Sequence, residues 1–307
     1  MSKALGTFRA VYLGALCCVG SFLFAYDTGI VGGILTFPSF RRDFGYSESH
    51  RATVASNSTS LLQAGGTHTH TLSLCLSLLY KYANVHPAFF ACFFIWPFTA
   101  RFGRRWSLVL ASAIFNVGAA VQTANTHSLA AFYAARVVSG VGVGMATVVV
   151  PMYSAEMAPA RIRGVLGSFF QFFFTCGVMT SYWVDYAASR HISDASSAQW
   201  QLPVGLQLVP GVVLGLGMLL TRESCRWLAG RGRLDEAWES LVWVRGGEET
   251  EEVREEFREI VRGVEEEGRE REGVSVKELW LPINRWRVLL IVALQMGKDL
   301  AVSMEVR

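Results

Sequence analysis

Charge is what this sequence lacks. Of its 307 residues only 17% are Asp, Glu, Lys or Arg, where a soluble domain carries about 25%. The shortfall is uneven: the first 220 residues contain very few acids, whereas 12 Glu and 5 Arg crowd between Glu248 and Glu272. Other absences narrow the function. Six cysteines (17, 18, 75, 92, 176 and 225) form no CxxC and lie mostly in apolar runs, so they read as small buried hydrophobes. Gly140, Gly142 and Gly144 do not keep the GxGxxG spacing of a dinucleotide loop, so they read as close-packing positions. His68 and His70 have no acid nearby in sequence and only Cys75 as a soft neighbour, so no metal site is expected. No cleavable leader is expected, because the first apolar run is long and holds Asp27. No catalytic constellation, cofactor motif or nucleic-acid patch is present, and the net charge of +3 matters less than its placement.

What is abundant is apolar length. Hydrophobic residues make up 51% of the chain, with 20 Phe and 9 Trp. A span needs roughly 17–25 mostly apolar residues. Runs over 10–35, 108–124, 129–152, 165–188 and 202–220 qualify, and another lies between Thr53 and Ala100. A run from Val288 to Leu294 is too short. The class is an all-α integral membrane protein embedded in a lipid bilayer. Basic residues mark the cytoplasmic side. Lys3 and Arg9 precede the first span, and further cations follow the second, fourth and sixth. The 3–4 loop "NTHS" has none. The N-terminus is therefore expected in the cytoplasm. From about 222 to 287, Leu234, Ala237, Trp238, Leu241 and Val242, then Val253, Phe257, Ile260 and Val264, recur at helical spacing on charged helices. That loop is expected to be helical and cytoplasmic, its acidic run a solvated face.

Three polar residues lie where hydrocarbon is expected. Asp27, in "FLFAYDTGIVGG", marks either an ion or substrate path or a structural acid, and Arg136, in "YAARVVSGVGVG", is its candidate partner. Gln171, in "GSFFQFFF", suits either a polyhydroxylated ligand or interhelical bonding. Pro151 should end or kink its span. Three short junctions carry Arg104 with Arg105, Glu156 with Arg161 and Arg163, and Glu223 with Arg226. A charge network made in one conformation and broken in another would bias a two-state equilibrium.

Together these motifs resemble the sugar porter family of the major facilitator superfamily, especially fungal sugar, polyol and quinate permeases. The carriers are "FAYDTGIVGGIL", "RFGRRWSL", "ARVVSGVGVG", "PMYSAEMAPARIRG", "SYWVDY", "WQLPVGLQLVPG" and "ESCRWLAGRGRLDEAWESLVWVRG". The resemblance implies the N-terminal six-helix half of a major facilitator fold, residues 1–221, and a cytoplasmic helical loop, 222–287. It also implies a broken seventh span with an aberrant tail, 288–307. It further implies a multi-pass plasma-membrane protein that moves a monosaccharide, polyol or quinate-like solute by alternating access, coupled to a proton. By motif position, Asp27 and Arg136 would couple the proton and Gln171 would bind the solute. Arg104, Glu156, Arg163, Glu223 and Arg226 would form a cytoplasmic charge latch. The chain departs from the family pattern at Ala100, where an Asp is usual, and at Val178, where a second glutamine is common. Arg222 to Arg226 also lack the family's prolines.

"GGTHTHTLSLCLSLLYKYANVHPAFF" (65–90) does not fit. Residues 66–87 read as an insert that interrupts span 2. They can be encoded largely by CA and CT repeats between intron-like borders, and Gly297-Lys298 permits another such border. The expectation is a carrier locus whose 307-residue product is incomplete. The alternatives are a non-transporting nutrient sensor, or a non-functional, intron-retaining product.

Overall fold

Inside a bilayer no water can bond exposed peptide groups, so long apolar runs must satisfy their backbone internally. The computed structural model of the chain describes residues 2–46, 54, 87–124, 127–159, 163–271, 285–286 and 289–290. Among these residues the regular elements are all helices. They are α1 (Ser2–Ile34), α2 (Pro38–Phe44), α3 (Pro87–Phe102), α4 (Arg104–Thr123), α5 (Leu129–Met157) and α6 (Arg163–His191), followed by α7 (Ala198–Leu206), α8 (Leu208–Leu219), α9 (Cys225–Gly230), α10 (Leu234–Val244) and α11 (Glu251–Arg271). Two compact units emerge, Met1–Phe257 and Arg258–Arg307.

Five segments are long and apolar enough to cross a membrane: Phe8–Ile34, Arg104–Thr123, Leu129–Met157, Arg163–His191 and Ala198–Leu219. They match the five complete runs read from hydropathy, each within a few residues. The second span position holds α3, whose 16 residues fall just short of a full crossing. The insert expected at 66–87 lies outside the described residues except for Pro87, which opens α3, and so does the tail expected after Gly297.

Local chemistry explains the breaks. Pro210 cannot donate to the carbonyl of Leu206, and its ring crowds that group. The sixth span accordingly divides at Gln207 into α7 and α8. Pro151 was expected to end or kink its span, but α5 runs through it to Met157. Membrane helices tolerate an internal proline where neighbouring groups replace the lost bond. Pro38 starts α2, and Gly45, at φ 64°, ends it in the left-handed region with its amide on the Arg41 carbonyl at 3.0 Å. Ser128 caps α5 by accepting from the Ala131 amide at 3.4 Å.

The bundle is held by small residues at helix crossings, because van der Waals fit rather than hydrophobic exclusion drives association in lipid. A methyl on Gly142 would sit 2.6 Å from the Ala111 carbonyl and the Phe115 amide, and one on Gly118 would sit 2.5 Å from the Ser139 amide. The α4–α5 contact is thus backbone to backbone, as the buried glycine cluster at 140–144 suggested. α6 buries only the stripe Gly177, Ser181, Asp185 and Ala188, packed chiefly on α1. Its remaining circumference, including Phe169, Phe172, Tyr182 and Trp183, is exposed.

One end of the bundle is closed by aromatic rings. Phe40, Phe44, Phe132 and Trp200 meet edge-on or tilted with centroids 4.4–5.5 Å apart. Polar bonds pin the cluster. Trp200 Nε1 donates to Asp43 Oδ2 at 2.9 Å, and Ser39 Oγ donates to Gln199 Oε1 at 2.6 Å. Burial pushes the Asp43 carboxyl up, but hydrogen bonds from Ser197, Trp200 and Arg42 and the Arg42 charge outweigh it, so the carboxyl lies below its ordinary value.

At the opposite end α9 and α10 pack under the bundle. Arg9 donates to the Trp243 carbonyl at 2.8 Å and lies over its indole, and Arg245 pairs with Glu256 at 2.5 Å. α11 carries a buried Val253, and Phe257 lies edge-on to Trp238. Within the second unit, Arg269 and Glu265 pair at 3.8 Å with both side chains exposed. Such a pair contributes little, which fits a solvated acidic face.

Candidate functional site

The first group of candidates sits inside the bundle. Asp27 on α1 and Arg136 on α5 are 0% and 1% exposed, and Arg136 Nη1 donates to Asp27 Oδ1 at 2.5 Å. The same nitrogen donates to Gln122 Oε1 of α4 at 3.2 Å. Gln122 Nε2 in turn donates to Ser139 Oγ at 2.8 Å, and Gln207 Nε2 approaches Gln122 Oε1 at 3.5 Å. The pair is therefore part of a four-helix polar network spanning α1, α4, α5 and the α7–α8 break. Its bonding is incomplete: Asp27 Oδ2, Arg136 Nε and Arg136 Nη2 are buried with no partner among the described residues. A buried pair whose remaining donors and acceptors go unmet has little margin over its desolvation cost, so it can be rearranged.

The second group gathers at the cytoplasmic junctions read from sequence. Arg104, at the start of α4, reaches Glu156, near the end of α5, at 2.8 Å with both side chains largely buried. Glu156 Oε2 also accepts from Ser224 Oγ at 2.5 Å. Ser224 meanwhile caps α9, accepting from the Trp227 amide at 3.3 Å. Glu223 takes a role the charge pattern alone does not specify. Its Oε1 accepts from the backbone amides of Arg104 and Arg105 at 2.8 and 3.1 Å, so it caps α4 from 119 residues away. Gly103 makes this possible. Its φ of 93° favours glycine, and the Glu223 carboxylate fills the space a β-carbon would need. Burial raises the Glu223 carboxyl above its ordinary value, although hydrogen bonds from the amides of Ser224, Arg105 and Arg104 and the Arg104 charge pull it back.

The unusual Ala100 is also employed at this end. Its carbonyl accepts from Trp227 Nε1 at 3.0 Å and from Arg231. Tyr153 donates to the Arg222 carbonyl at 2.6 Å and Ser240 to the Glu223 carbonyl at 2.6 Å, which fixes the strap between α8 and α9.

Not every candidate joins these groups. Gln171 is exposed on α6, away from the helix stripe that packs on α1. Arg163, at the start of α6, is exposed and lines a cleft of about 280 Å³ with Cys17, Ser154 and Phe170. It makes no ion pair with Glu156 or Glu223 among the described residues. Arg226 is exposed at the second position of α9. Sequence reasoning missed Gln122 and Ser224. Ser224 stands directly before the short helical run "CRWLAG" and carried a cap signal, whereas nothing in the sequence tied Gln122 to Arg136.

Five membrane helices, a buried acid–arginine pair and a charged junction at the helix ends agree with a match over nearly the whole chain. The family model described as "Sugar (and other) transporter" covers residues 13–302. The chain belongs to the sugar transporter family. Among curated relatives, this chain is 32% identical over 248 residues to a probable quinate permease of Aspergillus fumigatus, covering 79% of this chain and 42% of the relative. It is 31% identical over 239 residues to the quinate permease of Emericella nidulans, covering 77% and 40%. It thus spans about two-fifths the length of the relatives it matches. Among solved structures, the major facilitator superfamily proton:xylose symporter XylE bound to 6-bromo-6-deoxy-D-glucose aligns with a TM-score of 0.69 at 24% identity, covering 87% of this chain and 55% of that one. A partially occluded inward-open form of the xylose transporter XylE from E. coli gives 0.67 at 23% identity, covering 84% and 60%. These likenesses show the fold, the major facilitator architecture over about half of its length. The chain is a multi-pass membrane protein.

Proposed function

We propose that this chain supplies the N-terminal bundle of a carrier that moves a monosaccharide, polyol or quinate-like solute together with a proton by alternating access. The observation that carries this reading is the sealed Asp27–Arg136 pair in the middle of the polar network. Ionisable residues at membrane depth face cavities and mark ion or substrate paths. Protonating Asp27 would leave Arg136 uncompensated, a penalty of about 3–5 kcal/mol. A bias of about 5.5 kcal/mol moves a two-state equilibrium from 1:99 to 99:1. One proton at Asp27 therefore has the leverage to switch conformers. Quinate permeases among the relatives and a proton:xylose symporter among the structural neighbours support the solute class and the coupling.

In this reading Gln171, on the exposed face of α6, contacts the solute. Arg104, Glu156 and Glu223, with Arg163 and Arg226, hold the cytoplasmic helix ends together in one conformer and release them in the other. Residues 1–221 form the bundle, 222–287 a cytoplasmic helical loop, and 288–307 a broken seventh span with an aberrant tail. The cations on alternate loops support a cytoplasmic N-terminus, and the fungal relatives support the plasma membrane.

The test is expression of the gene in a host lacking monosaccharide and quinate uptake, with labelled solutes offered at acid and neutral outer pH. Accumulation of one of them, stronger at acid pH and lost in Asp27→Asn, is expected. If no solute accumulates, the carrier reading fails; if accumulation ignores pH and survives Asp27→Asn, the coupling role fails.

A further inference from the structure

Asp185 of the "SYWVDY" motif is the second buried acid among the described residues, and nothing in the proposed cycle uses it. It is 5% exposed, on the stripe of α6 that faces α1, inside the span Arg163–His191. Neither carboxylate oxygen has a hydrogen-bond partner among the described residues. The space it occupies is kept open by Gly33 of α1, since a β-carbon there would collide with the Asp185 carboxyl. One helical turn earlier, Gly29 does the same for Ser181. The site is thus a glycine-lined recess with a single acid in it. Ala188, nearly one turn further along α6, belongs to the cluster of Phe40, Phe132 and Trp200 that closes this end of the bundle.

Among the described residues no cation faces the recess. On α1, Tyr26 gives its hydroxyl to the Pro203 carbonyl at 3.0 Å, and Asp27 is taken by Arg136. Arg136 of α5 is directed to Asp27 and Gln122. α7, "AQWQLPVGL", has no ionisable side chain. On α6 itself Ser181 and Ser189 donate to their own helix, and Arg190 and His191 are exposed beyond the recess, Arg190 lying against Tyr186.

A buried carboxylate with no cation and no donor is far more costly than a neutral carboxyl in the same place. No group of three or more metal-ligating side chains lies among the described residues, so the recess offers no coordination shell for a metal ion. We propose that Asp185 is a proton-binding site, separate from Asp27, that holds a proton at neutral pH. The two acids are then divided by their partners: Asp27 is paired with Arg136, whereas Asp185 has no cation beside it among the described residues. Opening of the aromatic end would admit water to the recess and release the proton there. This inference stands whether or not the carrier moves a sugar.

The test is infrared spectroscopy on the full chain in lipid nanodiscs, reading the C=O stretch of the protonated carboxyl, which a carboxylate lacks. Across about pH 5 to pH 9, a range above the ordinary carboxylate value, the wild-type protein should show an aspartic-acid band at neutral pH. It should shift when the aspartate carboxyls carry carbon-13, persist in Asp27→Asn and in Glu223→Gln, and vanish in Asp185→Asn. The isotope shift together with survival in Asp27→Asn identifies the group even if Asp185→Asn fails to fold. Absence of the band at neutral pH, or its persistence in a folded Asp185→Asn protein, overturns the proposal. Loss of solute uptake with the band intact would overturn only the carrier reading.

Discussion

Glu223 caps a helix that begins 119 residues earlier, its Oε1 accepting from the Arg104 amide at 2.8 Å. The same Arg104 sends its guanidinium to Glu156 at 2.8 Å. One arginine thus ties three helix ends together, by backbone to the α8–α9 strap and by side chain to α5. The cap satisfies two backbone amides and the largely buried ion pair adds to it, so both hold this junction.

Replacing Glu223 with Ala leaves two largely enclosed amides without an acceptor. A loss of about 1–3 kcal/mol is expected, read as a lower thermal midpoint in detergent. Its pH dependence has a definite sign. Burial raises this carboxyl above its ordinary value of 4.5, so the folded state binds the proton more readily than the unfolded state. Its contribution is then most favourable in acid and declines as pH rises from the ordinary value through the raised one. The stability of wild type relative to Glu223→Gln should fall over that interval. A flat or rising difference would show that the carboxyl is not raised.

Removing half of the buried pair should be severe. Asp27→Ala or Arg136→Met alone is expected to cost about 3–5 kcal/mol. The double variant Asp27→Leu with Arg136→Met should recover most of that loss, because well-packed apolar residues replace such pairs at little cost. Single variants within about 1 kcal/mol of wild type would show that the pair is hydrated in the bilayer.

Helix spacing makes a third prediction. A methyl at Gly142 meets backbone at 2.6 Å, whereas one at Gly32 meets nothing within 4 Å. Gly142→Ala should therefore destabilise by about 1–3 kcal/mol through overpacking. Gly32→Ala should be neutral or stabilise by up to about 1 kcal/mol through helix propensity. Equal responses at the two sites would argue against the close α4–α5 crossing.

The ends of α4, α5 and α6 and the C-terminal end of α1 were readable within a few residues, because hydropathy over a window sums locally and needs no partner. Asp27 and Arg136 stood out for the same reason: a charge in hydrocarbon is conspicuous one residue at a time. Pro151 does not end its span, since proline's local cost takes no account of what neighbouring helices restore. Gln171 and Arg163 were grouped with other polar residues by type, and the fold leaves both exposed.

The sequence alone determined the membrane class, five of the crossings, the loop charges and the family, all of them properties of contiguous residues. Only the tertiary structure decided that Asp27 has a cation and that Asp185 has none among the described residues. It also decided that Glu223 bonds a backbone rather than a side chain, and that Gln122 joins the buried pair. Each of these depends on which helix faces meet across 14 to 119 residues of chain. In a low-dielectric interior the presence or absence of one such neighbour sets whether a carboxyl carries charge.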